Sequence, residues 1–176
     1  MKLLVGLGNP GPKYALTRHN AGFILLDLLL IEQGFAWQGT KFDAVFAKGS
    51  LLGHDVCFLK PQTFVNLSGR SVAQAMRFYK MTPSEVVIIH DELDLEFGKV
   101  KAKLNGGHGG HNGIRSIIQD CGSQDFRRVK IGIGRPQAAD SVISNWVLES
   151  FSEQELKILR EDVLTAMKIR LEGLLN

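Results

Sequence analysis

The chain has 176 residues but only two cysteines, Cys57 and Cys121, far apart and without ligand spacing. That excludes a disulfide framework and a cysteine-rich zinc module, and it fits a reducing compartment. Long apolar runs are missing as well. The most hydrophobic stretch, residues 23–31, is broken by Asp27 and is far short of the roughly 20 apolar residues that span a bilayer. The opening residues meet Pro10 and Pro12 before any extended apolar core forms, so no signal peptide is read there. These absences lead to the expectation of a cytoplasmic protein without a membrane segment. No repeat, low-complexity tract or linker divides residues 1–176, which read as a single domain. A Gly-x-Ser-x-Gly elbow is absent, and neither cysteine has a base beside it. A covalent serine or cysteine mechanism is therefore not expected, and water is the expected nucleophile.

What is present is an ordinary globular composition, 44% hydrophobic and 22% charged, with a net charge of only +3. The distribution of charge says more than its total. Residues 95–135 carry eight basic side chains against three acidic ones, whereas residues 149–176 carry four against six. A basic sector on a nearly neutral chain fits a local polyanion site, although a solvated face would produce the same counts.

Apolar runs alternate with helical patterns throughout. This predicts an α/β fold, with a twisted, mixed and mostly parallel central sheet flanked by helices. Strands are expected at residues 2–7, 42–51, 54–59 (paired as a hairpin through Gly53), 86–89, 95–104 and 126–133. The run at 86–89 is the shortest and most apolar, and is placed centrally. Helices are expected at 19–33, at 66–80, over a short stretch bearing Ile114, Ile117 and Ile118, and after a Ser152-x-x-Glu155 capping box.

Polar residues fall at the edges of these elements. Asn9 follows the first strand, Asn66 the hairpin and Asp91 the central strand, while Asn112 sits at a helix start as its expected N-cap. In open α/β sheets, sites form at the carboxyl ends of strands, so these groups are expected to converge. His19 lies at the start of a helix, whose positive end favours a neutral imidazole; a carboxylate beside it would push the other way and fix its tautomer. Asp91 is the best candidate for that carboxylate.

Two motifs invite other chemistry. Gly6-Leu7-Gly8-Asn9-Pro10-Gly11 matches the dinucleotide-binding pattern, but Pro10 and Pro12 remove amide donors and no helix opens at the glycines. A glycine loop exposing the Asn9 amide to substrate is the functional alternative. Gly106-Gly107-His108-Gly109-Gly110-His111-Asn112-Gly113 suggests a metal through its two histidines, yet glycines hold ligands poorly and no full ligand set completes the sphere.

Four segments together resemble the bacterial peptidyl-tRNA hydrolase family. They are Val5 to Gly11 followed by Tyr14 and Thr17-Arg18-His19-Asn20-Ala21-Gly22; Lys60-Pro61-Gln62-Thr63-Phe64-Val65-Asn66-Leu67-Ser68-Gly69; His90-Asp91-Glu92-Leu93-Asp94-Leu95; and the glycine-histidine stretch from Gly106 to Gly113. They occur in register over nearly the whole chain. The resemblance implies a cytoplasmic monomer, with no metal or other cofactor, that cleaves the ester joining a peptide to the terminal ribose of tRNA and so recycles tRNA from aborted translation. It implies that His19 activates water, that Asp91 orients and stabilises His19, and that Asn9 binds the peptide backbone and helps select N-blocked groups. It places Tyr14, Phe64, Asn66 and Asn112 against substrate or the tRNA end, and Lys103, Arg128 and Lys130 on a basic tRNA surface. Departures occur at Gln62 and Val65 (usually Thr and Met), at Glu96-Phe97 (often two prolines), at Asn105 (commonly Gly) and in a chain end earlier than in many members. They bear on peptide preference and tail contacts with tRNA. Three rivals stay open: a metallohydrolase using His90, Asp91, His108 and His111, a non-catalytic RNA-binding module, and a nicotinamide dinucleotide binder.

Overall fold

The computed structural model describes residues 1–138 and 142–176. A seven-stranded mixed sheet runs through it: β1 (Lys2–Gly6), β2 (Gly39–Lys41), β3 (Ala44–Leu51), β4 (His54–Pro61), β5 (Val86–Glu92), β6 (Val100–Lys103) and β7 (Arg127–Gly132). Their spatial order is β2-β3-β4-β1-β5-β7-β6. The inner strands β4, β1, β5 and β7 are parallel, and antiparallel strands close both edges. Leu3, Leu4, Val5 and residues 86–89 have no exposed surface. Burial on both faces explains why β1 and β5 read as unbroken apolar runs.

Helices cover the two faces of the sheet. On one lie α1 (Ala21–Glu32) and a C-terminal rod, made of α5 (Glu153–Ile158), a π-helical turn (Leu159–Val163) and α6 (Leu164–Leu175). On the other lie α2 (Ser68–Tyr79) and α3 (Asn112–Cys121). A short helix, α4 (Ile143–Leu148), stands at the rim. Among the described residues, no helix is long and apolar enough to cross a membrane. The acid that interrupts α1 has partners: Asp27 accepts from Trp37 Nε1 at 2.8 Å and from Lys60 Nζ at 2.9 Å.

The hairpin, the Ser152–Glu155 capping box and the helix that follows it form as the sequence suggests. Leu52 and Gly53 both adopt positive φ, at 52° and 79°, as a tight turn between twisted strands requires. Other elements differ. β5 is longer than residues 86–89 and carries His90 and Asp91 as its last buried positions. The lysine-rich strand shrinks to β6, an edge strand that pairs with β7. β2 and α4, of three and six residues, escaped notice because such short elements carry too little periodicity to be detected.

The glycines of the opening motif serve packing. A Cβ at Gly22 would lie 2.6 Å from Leu7 N and would press into the carbonyl of Ile89. A Cβ at Gly8 would strike the Phe23 ring at 2.7 Å. The first turn of α1 can therefore lie directly on the ends of β1 and β5, which brings His19 to the strand termini. No helix opens at Gly6–Gly11; the chain instead enters a 3-10 turn at Pro12–Tyr14. Gly22→Ala should destabilise the fold by about 2–3 kcal/mol through overpacking. Urea unfolding checks this, and an unchanged midpoint would contradict the close approach.

Candidate active site

The carboxyl ends of β1, β4 and β5 meet at one rim of the sheet, where three loops are tied together. Asn9, just past β1, is buried. Its amide donates to Asn20 Oδ1 at 2.8 Å, its carbonyl accepts from Asn20 Nδ2 at 2.9 Å, and its Oδ1 accepts from Val65 N at 2.8 Å. The expectation that the Asn9 amide is exposed to substrate is corrected here, because Asn20 consumes it. Side-chain Nδ2 is the Asn9 donor left for the adjoining cavity. Asn20, given no role in the sequence beyond its place in a motif, is the clamp that presents it.

His19 follows in a 3-10 turn (Arg18–Asn20). Its Nδ1 lies 2.8 Å from Asp91 Oδ2, and its side chain is 13% exposed against 3% for Asp91. The second carboxylate oxygen, Oδ1, lies 2.8 Å from Nε2 of His111. Asp91 therefore joins two imidazoles whose ring centroids are 5.0 Å apart. Burial alone would lower the basicity of His19, but the charge of Asp91 and its hydrogen bond outweigh it and raise the pKa above the ordinary 6.5. Burial pushes Asp91 upward, yet the two histidines hold its carboxyl well below the usual range. The sequence left the balance at His19 between helix field and carboxylate open; the carboxylate wins.

The expected N-cap at Asn112 is also corrected. His111 caps α3, its Nδ1 accepting from Gly113 N at 3.1 Å and Ile114 N at 3.3 Å. The imidazole reaches both amides, while Asn112 begins the helix and stays exposed. His111 is the second imidazole on Asp91, which sequence reasoning noticed only as a metal ligand in a rival reading. Its position immediately before a helical pattern was the available signal.

A cavity of about 500 Å³ opens over this cluster, with Asn9, His19, Asn66, Asp91, His111 and Asn112 among its walls. Ile143, Val147 and Leu148 of α4 supply an apolar side. Arg18 fastens that helix to the His19 turn. Its guanidinium lies 3.5 Å from the Trp146 ring centroid and 3.0 Å from Glu149. Tyr14 and Phe64 pair edge to face at 6.2 Å, outside the cavity lining, with Phe64 55% exposed.

The basic residues divide. Lys103 on β6 is half-buried. Lys130 pairs with Glu92 at 2.9 Å. Arg128, expected on a tRNA surface, is only 2% exposed. Its guanidinium donates to the carbonyls of Gly106, Gly107 and Gln124, bracing the glycine loop from below. Burial depresses its pKa. A surface cation is thus corrected to an internal brace.

Among the described residues, one group of potential metal ligands stands out, His19, Asp91 and His111, with ligand atoms within 4.8 Å of one another. Those atoms already share two hydrogen bonds, so an ion would have to displace both bridging protons. The four-residue set of the metal rival is not assembled. His90 turns Nδ1 to the Asp91 carbonyl, and His108 Nδ1 accepts from Gly110 N. Burial pushes the His90 pKa down to about 3.

The family model for peptidyl-tRNA hydrolase matches residues 3–176. A peptidyl-tRNA hydrolase of Geobacter sp. (strain M21) is 52% identical over 166 residues, covering 94% of this chain and 87% of that one. The enzyme of Geobacter sulfurreducens is 54% identical over 155 residues, 88% of this chain and 79% of its own. The crystal structure of peptidyl-tRNA hydrolase from Acinetobacter baumannii superposes with a TM-score of 0.87 at 39% identity, covering 98% of this chain and 89% of that one. The fold and these relatives define a hydrolytic enzyme built on a mixed α/β sheet. The chain belongs to the peptidyl-tRNA hydrolase family.

Arg128→Met should lower the unfolding midpoint, with a loss of about 2–4 kcal/mol from three carbonyls left without their donor. Chemical denaturation reads this. Wild-type stability would return Arg128 to the surface role that the sequence suggested.

Proposed function

We propose that residues 1–176 act as one catalytic domain, a cytoplasmic monomer that hydrolyses the ester between a peptide and the terminal ribose of tRNA. The observation that carries this reading is the 2.8 Å contact between His19 Nδ1 and the buried Asp91 carboxylate at the wall of a cavity. A proton on Nδ1 leaves the lone pair on Nε2 for a water molecule. As the water oxygen bonds to the ester carbonyl carbon, its proton passes to Nε2, and Asp91 stabilises the imidazolium that forms. Collapse of the tetrahedral intermediate breaks the bond to the ribose oxygen, which takes the proton back from His19.

Asn9 Nδ2 and the side chains of Asn66 and Asn112 line the same cavity. They are suited to hold the peptide backbone and to donate to the developing oxyanion, an interaction worth about 3 kcal/mol for a single donor. Tyr14 and Phe64 offer an aromatic surface beside it for the tRNA end or the peptide. Lys103 and Lys130 lie on one face of the β6–β7 edge, where the register pairs Lys103 with Arg128 and Lys101 with Lys130. Phosphates meeting that edge would give salt-sensitive binding. The mechanism uses no metal ion, since His19 and His111 spend their facing nitrogens on Asp91.

Because the His19 pKa is raised, the base is protonated and idle at low pH. The turnover rate should therefore climb with pH through an inflection above 6.5 and level off beyond it. His19→Ala should reduce turnover of N-acetyl-aminoacyl-tRNA by about 10²–10⁴-fold, the range for a general base, and erase that limb while tRNA binding persists. Retained turnover, or an inflection that survives the substitution, would remove His19 from the role.

A further inference from the structure

We propose that His111 is a positioning residue of the reaction, whose imidazole is locked by the α3 cap with its proton on Nε2 and holds Asp91 so that the other carboxylate oxygen meets His19. This rests on the reading of His19 as the base and adds the group that sets its partner.

The lock follows from donor and acceptor counting. Two backbone N–H groups, of Gly113 and Ile114, converge on Nδ1 of His111 at 3.1 and 3.3 Å. A ring nitrogen carrying its own hydrogen cannot accept them, so the hydrogen sits on Nε2. Nε2 then donates to Asp91 Oδ1 at 2.8 Å. The carboxylate receives one N–H on each oxygen, which fixes its rotation about the Cβ–Cγ bond and leaves Oδ2 for His19. The neighbours are built around the ring. A Cβ at Gly113 would stand 3.0 Å from Cε1 of His111, and the edge of His90 packs at 5.0 Å and 73° on another side.

Capping alone does not explain a histidine here. Asn, Asp or Ser caps a helix better. What imidazole adds is a second nitrogen across the ring, long enough to link the amino end of α3 to a carboxylate on β5. The positive field of that helix end reaches Asp91 through the ring, so His111 also limits how strongly Asp91 holds the proton of His19.

His111→Asn separates these roles. It keeps an acceptor for the α3 amides but deletes the donor to Asp91. Asp91 becomes more basic and grips the His19 proton harder, so the acid limb of the kcat profile should move to higher pH by about half a unit or more. The plateau should fall about tenfold, as when a partner that orients a functional group is removed. His111→Ala should shift the limb likewise and also lower Tm through loss of the cap. The other ionisable groups around the pair are His90 on β5, Arg128 behind it on β7, and Glu92 and Arg135 on the cavity wall; all stay unchanged in both variants. A limb in His111→Asn that stays in place or moves to lower pH overturns the proposal, whatever the plateau does. His19→Ala assayed alongside separates the failures. If it still turns over, the base assignment falls and this inference with it; if it is inactive while the His111→Asn limb is unshifted, only His111 loses its role.

Discussion

One buried carboxylate organises the rim of this sheet. Asp91 is 3% exposed, near the end of a strand whose first four side chains are buried and apolar, and burying an unpaired charge there would cost several kcal/mol. It is stable as an anion because two N–H groups point at it, from elements on opposite faces of the sheet. His19 comes from the turn before α1 and His111 from the start of α3. The electrostatic need of one residue thus draws together both helical layers and orients a basic nitrogen toward a cavity.

The rest of the architecture delivers those two histidines accurately. Gly6 and Gly22 let the start of α1 rest on the strand ends, Asn20 stitches the β1 loop to that same turn, and Asn9 extends the stitch to Val65. On the far side, Arg128 supports the glycine loop that leads into His111. Arg18 seats α4 as the apolar wall. Neutral His90 fills the space beneath without adding charge that would compete for Asp91. The geometry of the rim depends on hydrogen bonds made by residues outside the His19–Asp91 pair.

Much of this was legible in the sequence. The alternation of strands and helices gave the α/β sheet, and the polar residues at strand ends pointed to the rim where His19 and Asp91 do meet. What stayed hidden has physical reasons. Whether a histidine before a helix caps it, binds metal or orients a carboxylate depends on which nitrogen faces which atom, and no spacing encodes that. Arg128 alternates with Lys130 along a strand, so it read as part of a basic face; only the loop folded over it makes it a brace. The Asn9 amide looked available because its partner, Asn20, is 11 positions away. The short α4 and β2 lie below the length at which periodicity speaks.

The claim under all of this is that Asp91 accepts a proton-bearing nitrogen from each imidazole, and that the two rings hold opposite tautomers. Nitrogen-15 NMR of the histidine side chains, at a pH above the His19 inflection, reads it directly. The account predicts a protonated Nδ1 and a bare Nε2 for His19, with a protonated Nε2 and a bare Nδ1 for His111. The reverse tautomer at either ring would contradict it.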